Sequence, residues 1–256
     1  MRQLRSGLAL LLALAWILVV GTLVQRLYLW PMSWFRSPAR MRGAVSAYMR
    51  LQSRGIFGFL SVVGGARFVR LGRVPTSQGP LLVLMNHQSL LDIITVVMMS
   101  EYVPAFVTRV RYTRFVPIVA HCTRLLQCPS IDPRRDAAGA VRAIERAAES
   151  ERYGMLIFPE GHRTIDGEIR AFRTGGAEAV LRGRRWPVYL VVTAGFEAGR
   201  RLIDFLMNIP HLRGRTEVLG PFTPPEDPLQ LQAFLLEMRE VMVRHLAEMR
   251  ARKPVE

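Results

Sequence analysis

At 256 residues the chain has room for one sizeable hydrophobic core and one membrane element, and not for two full domains. A formal net charge of +15 raises the question of nucleic acid, but the arginines are scattered and no recognised nucleic-acid motif accompanies them, so anionic lipid headgroups are a sufficient explanation. The two cysteines, Cys122 and Cys128, fit no C-x-x-C pattern and lack a second pair, which makes them reduced thiols rather than zinc ligands.

Ser6 to Gln25 is an uncharged stretch rich in leucine, alanine and valine, flanked by Arg5 and Arg26 and just long enough to span a bilayer core. No small-residue cleavage pattern follows it. An aromatic cluster of Tyr28, Trp30, Trp34 and Phe35 does, and it suits an interfacial belt, so the segment is expected to be a retained anchor rather than a signal peptide. Arg2 and Arg5 precede the stretch while Arg26, Arg36, Arg40 and Arg42 follow it, a bias that places the remainder of the chain in the cytoplasm. A second apolar patch, Gly55 to Ala66, is too short to span. It reads equally as an interfacial segment beside Arg50, Arg54, Arg67 and Arg70 or as a core helix.

Leu81 to Met85, after Gly79 and Pro80, has the length of a buried strand, and Leu90 to Met99 that of a helix. Between them stands N-H-Q-S-L-L-D, Asn86 to Asp92. On a continuous helix, at roughly 100° per residue, His87 and Asp92 would point about 140° apart; they meet only across a turn. Ser89 with Asp92 three residues on has the spacing of a capping box, which supplies such a turn. A histidine whose one ring nitrogen donates to a carboxylate is held in one tautomer, and its other nitrogen can take a proton from a hydroxyl. The bland alternative leaves Asp92 as a cap and His87 as a turn residue. No serine or cysteine lies in a G-x-S-x-G elbow, so the hydroxyl such a base would serve belongs to the substrate.

Asp136 to Glu151 is amphipathic, with Val141, Ile144 and Ala148 on one stripe, and leads through Gly154 into a strand over Met155 to Phe158. F-P-E-G-H-R-T, Phe158 to Thr164, ends that strand. Arg163 projects from a loop closed by Asp166-Gly167, and its guanidinium fork suits bidentate binding of a phosphate. Glu160 has a bland reading as the partner of some other arginine. Helix then strand recurs at Ala177 to Arg182 and Val188 to Thr193. After the proline-rich break at Pro221 to Pro228, Leu229 to Met249 forms a closing amphipathic helix. The fold class is therefore α/β, a mostly parallel sheet flanked by helices with an N-terminal membrane-anchoring helix. Its expected divisions are an anchor over 1–30, an interfacial or juxtamembrane helical segment over 31–73, a catalytic domain over 74–222 and a C-terminal amphipathic helix over 223–256.

The two strings resemble the first and third motifs of the glycerolipid and lysophospholipid acyltransferases, N-H-x-x-x-x-D and F-P-E-G-T-R-S, in order and at family-like separation. A-F-R-T-G-G at Ala171 to Gly176 and W-P-V-Y-L-V-V at Trp186 to Val192 extend the likeness, which runs from about Pro75 to Phe222. The resemblance implies that His87 is the base and Asp92 its partner. It places Glu160, Gly161 and Arg163 at the acceptor's phosphate. The family's I-D-R segment appears as I-D-P-R, Ile131 to Arg134, with Pro133 displacing the arginine by one; Arg134 is assigned to phosphate on that basis, with Arg109 or Arg111 as substitutes. His162 stands where threonine is usual and Thr164 where serine is usual, and the closing proline of the fourth motif is missing at Val191.

The implied reaction moves an acyl group from acyl-CoA or acyl-carrier protein to a lysophospholipid hydroxyl, foremost 1-acyl-glycerol-3-phosphate to give phosphatidic acid, with another lysolipid such as lyso-ornithine lipid as an alternative. It needs no metal or redox cofactor, and the basic field would draw in coenzyme A phosphates or an acidic carrier protein. Two rivals stay open. A metal-dependent hydrolase would use His87, Asp92, Glu160 and His162 as ligands, and a noncatalytic lipid-binding protein would bind membranes without releasing thiol.

Overall fold

In the computed structural model, which describes residues 2–199 and 202–252, the leucine-rich N-terminus is one unbroken helix. It comprises α1 (Arg2–Trp16), a π-helical turn (Ile17–Gly21), α2 (Thr22–Val24), a second π turn (Gln25–Leu29) and α3 (Trp30–Phe35). One narrow stripe of it is buried: Ser6, Ala9, Ala13, Gly21, Gln25 and Leu29, spaced as one helical face. These small residues admit α4 (Pro38–Val62) closely alongside and antiparallel. Arg5 donates from Nε to the Val63 carbonyl at 3.1 Å, the Tyr48 hydroxyl donates to the Gly21 carbonyl at 3.2 Å, and the Trp16 indole lies on Gly55, where a Cβ would fall 2.3 Å from the ring. The other side of the N-terminal helix presents Leu4, Leu11, Leu18 and Leu27 to the outside, all at least 63% exposed.

The chain then continues through β1 (Arg67–Leu71), β2 (Leu82–Met85), α5 (Leu91–Met99), β3 (Ala105–Phe106), β4 (Thr108–Arg109), α6 (Val110–Phe115), α7 (Pro117–Leu125) and β5 (Ser130–Ile131). After these come α8 (Ala137–Ser150), β6 (Met155–Ile157), α9 (Gly175–Leu181), β7 (Val188–Ala194), α10 (Leu202–Asn208), β8 (Arg213–Phe222) and α11 (Leu231–Ala251). Six strands make one sheet in the order β1-β8-β7-β2-β6-β3, and β4 pairs with β5 in a separate parallel ribbon. Every pairing in the large sheet is parallel except β7 with β8. The expected mostly parallel sheet is thus present.

Alternate residues of the buried strands part to opposite faces, as a period of two requires. Leu82, Leu84, Met155, Ile157 and Leu190 pack with Ile144 of α8, Val180 of α9 and Leu235, Met238 and Met242 of α11. Val83, Met85, Leu156 and Val191 pack with Met41 and Val45 of α4, Val96 and Val97 of α5 and Leu125 of α7. Helices therefore cover both faces. β6 lies tight against β2 because Gly154, at φ +116°, carries no Cβ; one there would meet the Leu81 carbonyl at 2.5 Å.

Several expectations are corrected. The sequence reading marks neither β1 nor β8 as a strand, and both lie in the sheet: Arg67–Leu71, within the segment expected to be helical over 31–73, runs parallel to Arg213–Glu217. Of the two readings left open for the Gly55 to Ala66 patch, Phe57 and Leu60 follow the core one, buried in a cluster with Phe196 and Leu212, while the helix ends at Val62, which is 81% exposed. Arg42, counted among the charges flanking the anchor, is buried and paired with Glu151 at 2.6 Å. α11 begins at Leu231 because Leu229 sits in a short 3-10 turn whose amide the Asp227 carboxylate accepts at 2.9 Å. Residues 253–256 of the C-terminal division lie outside the described residues.

Candidate active site

β2 and β6 are parallel neighbours, so the turn after β2 and the loop after β6 open at the same sheet edge, the place where ligands of open α/β sheets bind. The first carries His87 and Asp92, the second Glu160, Gly161 and Arg163. Asn86 fixes the start of the turn to β7: its Oδ1 accepts from the Thr193 amide at 2.8 Å and its Nδ2 donates to the Thr193 carbonyl at 2.9 Å.

His87 Nδ1 and Asp92 Oδ2 are 2.7 Å apart, the carboxylate wholly buried and the imidazole 21% exposed. The same oxygen accepts the amides of Gln88 at 2.7 Å and Ser89 at 2.8 Å. Asp92 accordingly caps the turn and orients the histidine at once, and both readings of it hold together. Ser89 is fully buried; its hydroxyl donates to the Gly199 carbonyl and accepts from the Leu91 amide at 3.3 Å. The expected serine cap is therefore weak, and the backbone at the helix N-cap is Leu90. The imidazole stacks on Phe158, centroids 4.1 Å apart. With Nδ1 donating to Asp92, the neutral ring presents Nε2, an acceptor, away from the carboxylate.

Both backbone groups of His87 are bound to the second loop. Its amide donates to Glu160 Oε1 at 2.8 Å, and its carbonyl accepts from the Thr164 amide at 2.8 Å. Glu160 is 1% exposed, and its other oxygen accepts from the Arg170 amide at 3.0 Å. Burial pushes its carboxyl above the ordinary range, against the lowering effect of those two amides. Glu160 thus joins the two motifs through backbone hydrogen bonds. Gln88 makes a third tie, from Nε2 to the Gly167 carbonyl at 3.0 Å, and accepts the Phe196 amide at 3.2 Å.

Gly161, at φ +74°, turns the loop through a backbone conformation that residues with a Cβ rarely adopt, and its carbonyl accepts Arg109 Nη2 at 2.9 Å. Arg163 follows on the same loop and is partly exposed. Arg109 therefore touches the second motif directly, whereas Arg134 stands exposed on the turn after β5, the strand paired with β4. His162 is exposed and bonds through Nδ1 to the Glu160 carbonyl at 3.0 Å. Among the described residues no group of three or more His, Cys, Asp or Glu side chains is arranged to hold a metal ion. Cys122 accepts Gln25 Nε2 at 3.1 Å and Cys128 accepts the Phe106 amide at 3.3 Å, and burial pushes each thiol up to about 12, far from nucleophilic at neutral pH. Asn86, Gln88 and Phe158 carry no role in the sequence reading. Two buried amide side chains inside one seven-residue motif were the available signal.

A three-layer α/β sheet thus carries a half-buried histidine on a buried aspartate at one edge, with an arginine-bearing loop beside it. The profile of the Acyltransferase family matches residues 62–194, half of the chain, and the chain belongs to that family. It is similar to the chloroplastic 1-acyl-sn-glycerol-3-phosphate acyltransferase LPAT1 of Arabidopsis thaliana, 28% identical over 107 residues. That match covers 41% of this chain and 29% of the relative's length. The crystal structure of the 1-acyl-sn-glycerophosphate acyltransferase PlsC from Thermotoga maritima shares the fold with a TM-score of 0.75 over 99% of each chain, at 21% identity.

Proposed function

We propose that the protein transfers an acyl group from an acyl thioester, acyl-CoA or acyl-carrier protein, to the free hydroxyl of a lysophospholipid, with 1-acyl-glycerol-3-phosphate as acceptor and phosphatidic acid as product. The observation that carries this reading is the 2.7 Å contact of His87 with Asp92 on the same sheet edge as the Arg163 loop. His87 Nε2 takes the hydroxyl proton as the acceptor oxygen forms a bond to the thioester carbonyl carbon. The carbon–sulfur bond then breaks, and the thiolate takes the proton from the imidazolium, so base and Asp92 end as they began. Arg163 binds the acceptor phosphate, with Arg109 bonded to the Gly161 carbonyl of the same loop and Arg134, on the turn after β5, proposed to assist; Glu160 and Gly161 set the loop that presents Arg163. The scheme uses no metal or redox cofactor. The relatives' printed activities support the acceptor class, and an ornithine-based lysolipid is the alternative acceptor.

The protein is proposed to act on the cytoplasmic face of a membrane. The N-terminal helix, Gln3–Phe35, is long and apolar enough to cross one and is mostly unburied. A crossing would, however, carry exposed Arg54 of α4, next to Gly55 under Trp16, into the hydrocarbon, at a cost of about 2.5–3.5 kcal/mol or more. An in-plane seat with the outward leucines in lipid avoids this cost. Thiol release by the purified protein, followed over a panel of acceptors, tests the whole reading. His87→Ala should reduce it by about 10³-fold or more, and Arg163→Ala should raise KM for phosphate-bearing acceptors selectively. Wild-type-like turnover in His87→Ala would overturn the assignment.

A further inference from the structure

We propose that Arg239, on α11 and outside the segment that matches the family profile, is a positioning residue for His87, acting through one peptide unit and Glu160. The inference rests on the reading of His87 as the acyl-transfer base. Arg239 Nη2 donates to the Ile169 carbonyl at 2.9 Å and its Nε to the Arg170 carbonyl at 2.8 Å. The Ile169 carbonyl and the Arg170 amide belong to the same peptide, and that amide donates to Glu160 Oε2 at 3.0 Å, while Glu160 Oε1 accepts the His87 amide at 2.8 Å. A cation on a carbonyl polarises its peptide and makes the attached N–H a stronger donor, an effect that grows in a site shielded from water. The guanidinium thereby strengthens the bond that holds a buried carboxylate charged and in place. That carboxylate in turn fixes the backbone from which the imidazole projects.

The geometry suits arginine and not lysine, because only a planar fork reaches two successive carbonyls at once. A second tie shows that α11 holds this strap at more than one point: Arg250 pairs with Glu168. A cavity of about 470 Å³ lined by Ala171, Phe172, Leu236, Glu237, Arg239 and Glu240 opens beside Arg239, so a small cation can enter there when the side chain is cut back.

The test compares full-length Arg239→Ala, Arg239→Lys and, as a control elsewhere on α11, exposed Arg244→Ala, by kcat and KM for thiol release across pH. Arg239→Ala is expected to lower kcat by about 10- to 100-fold with KM for both substrates within about twofold. Its acidic limb, to which His87 and Asp92 beside Glu160 also contribute, should move to higher pH, since Glu160 then loses the strengthening of its Arg170 amide donor by Arg239, whose remaining Nη1 pairs with Glu240 at 2.6 Å. Arg239→Lys should fall between, and millimolar methylguanidinium should restore part of the Arg239→Ala activity. Placed on Glu160→Gln, Arg239→Ala should cost nothing further in kcat. An active wild type with Arg239→Ala matching Arg244→Ala, or full additivity with Glu160→Gln, would overturn the proposal. A wild type that releases no thiol would overturn the acyl-transfer reading beneath it. Should Arg239→Ala fail to fold, the Arg239→Lys profile and the Glu160→Gln pair decide.

Discussion

A single oxygen, Asp92 Oδ2, receives the His87 imidazole and the amides of Gln88 and Ser89, and the site depends on that crowding. Replacing it with an amide leaves shape nearly unchanged but turns either an N–H toward two N–H donors or the ring toward its other tautomer. Asp92→Asn is therefore expected to lower kcat by about 10²- to 10⁴-fold, with circular dichroism unchanged; thiol-release kinetics measure it. The pairing of His87 with Asp92 was legible because a strand-to-helix turn lets residues five apart meet and because the second string, in the order the family resemblance requires, favoured that contact over a bare cap. The job of Glu160 was not. A carboxylate in a loop looks the same in sequence whether it faces solvent or, as here, accepts amides from positions 87 and 170.

At the scale of elements, β8 was illegible because R-G-R-T-E-V-L-G-P-F alternates no apolar residues, and its charges are used by another element. Glu217 of β8 accepts Arg215 at 2.6 Å, Arg252 at 2.9 Å and His245 of α11 at 2.8 Å. Burial alone would raise its carboxyl, but these partners outweigh burial and hold it below the ordinary value of about 4.5. A lowered folded pKa means the unfolded chain binds the proton first as pH falls. The stabilisation is thus complete above about pH 4.5 and is lost as pH drops toward the folded value. Glu217→Gln should cost about 1.5–3 kcal/mol at neutral pH and flatten the acid side of the stability curve; urea unfolding at several pH values checks both. The strands β2, β6 and β7 and the helix α8 were readable for the opposite reason, since each buries a pattern of a single period.

For the molecule as a whole, the outward leucine stripe and the excess of arginine act together. Replacing exposed Leu11 and Leu18 with aspartate removes apolar area worth about 3 kcal/mol on transfer to lipid, so binding to anionic vesicles should weaken by about 100-fold or more. Cosedimentation measures it, and unchanged thermal stability in detergent would show that the body is intact. The sequence disclosed the apolar stretch but not its seat, because its inner stripe of Ser6, Ala9, Ala13 and Gly21 is small enough to pass for lipid-facing.

The position of β8 between β1 and β7 also sets an order of events. β1 is an edge strand whose partner lies nearly at the far end of the chain, with Arg67 opposite Arg213. On the ribosome the greasy amino-terminal rod emerges and can find its bilayer long before that partner is made, leaving a bare strand edge throughout synthesis. Nascent chains halted short of residue 213 should for that reason be sticky intermediates, and early capture by lipid would shelter them.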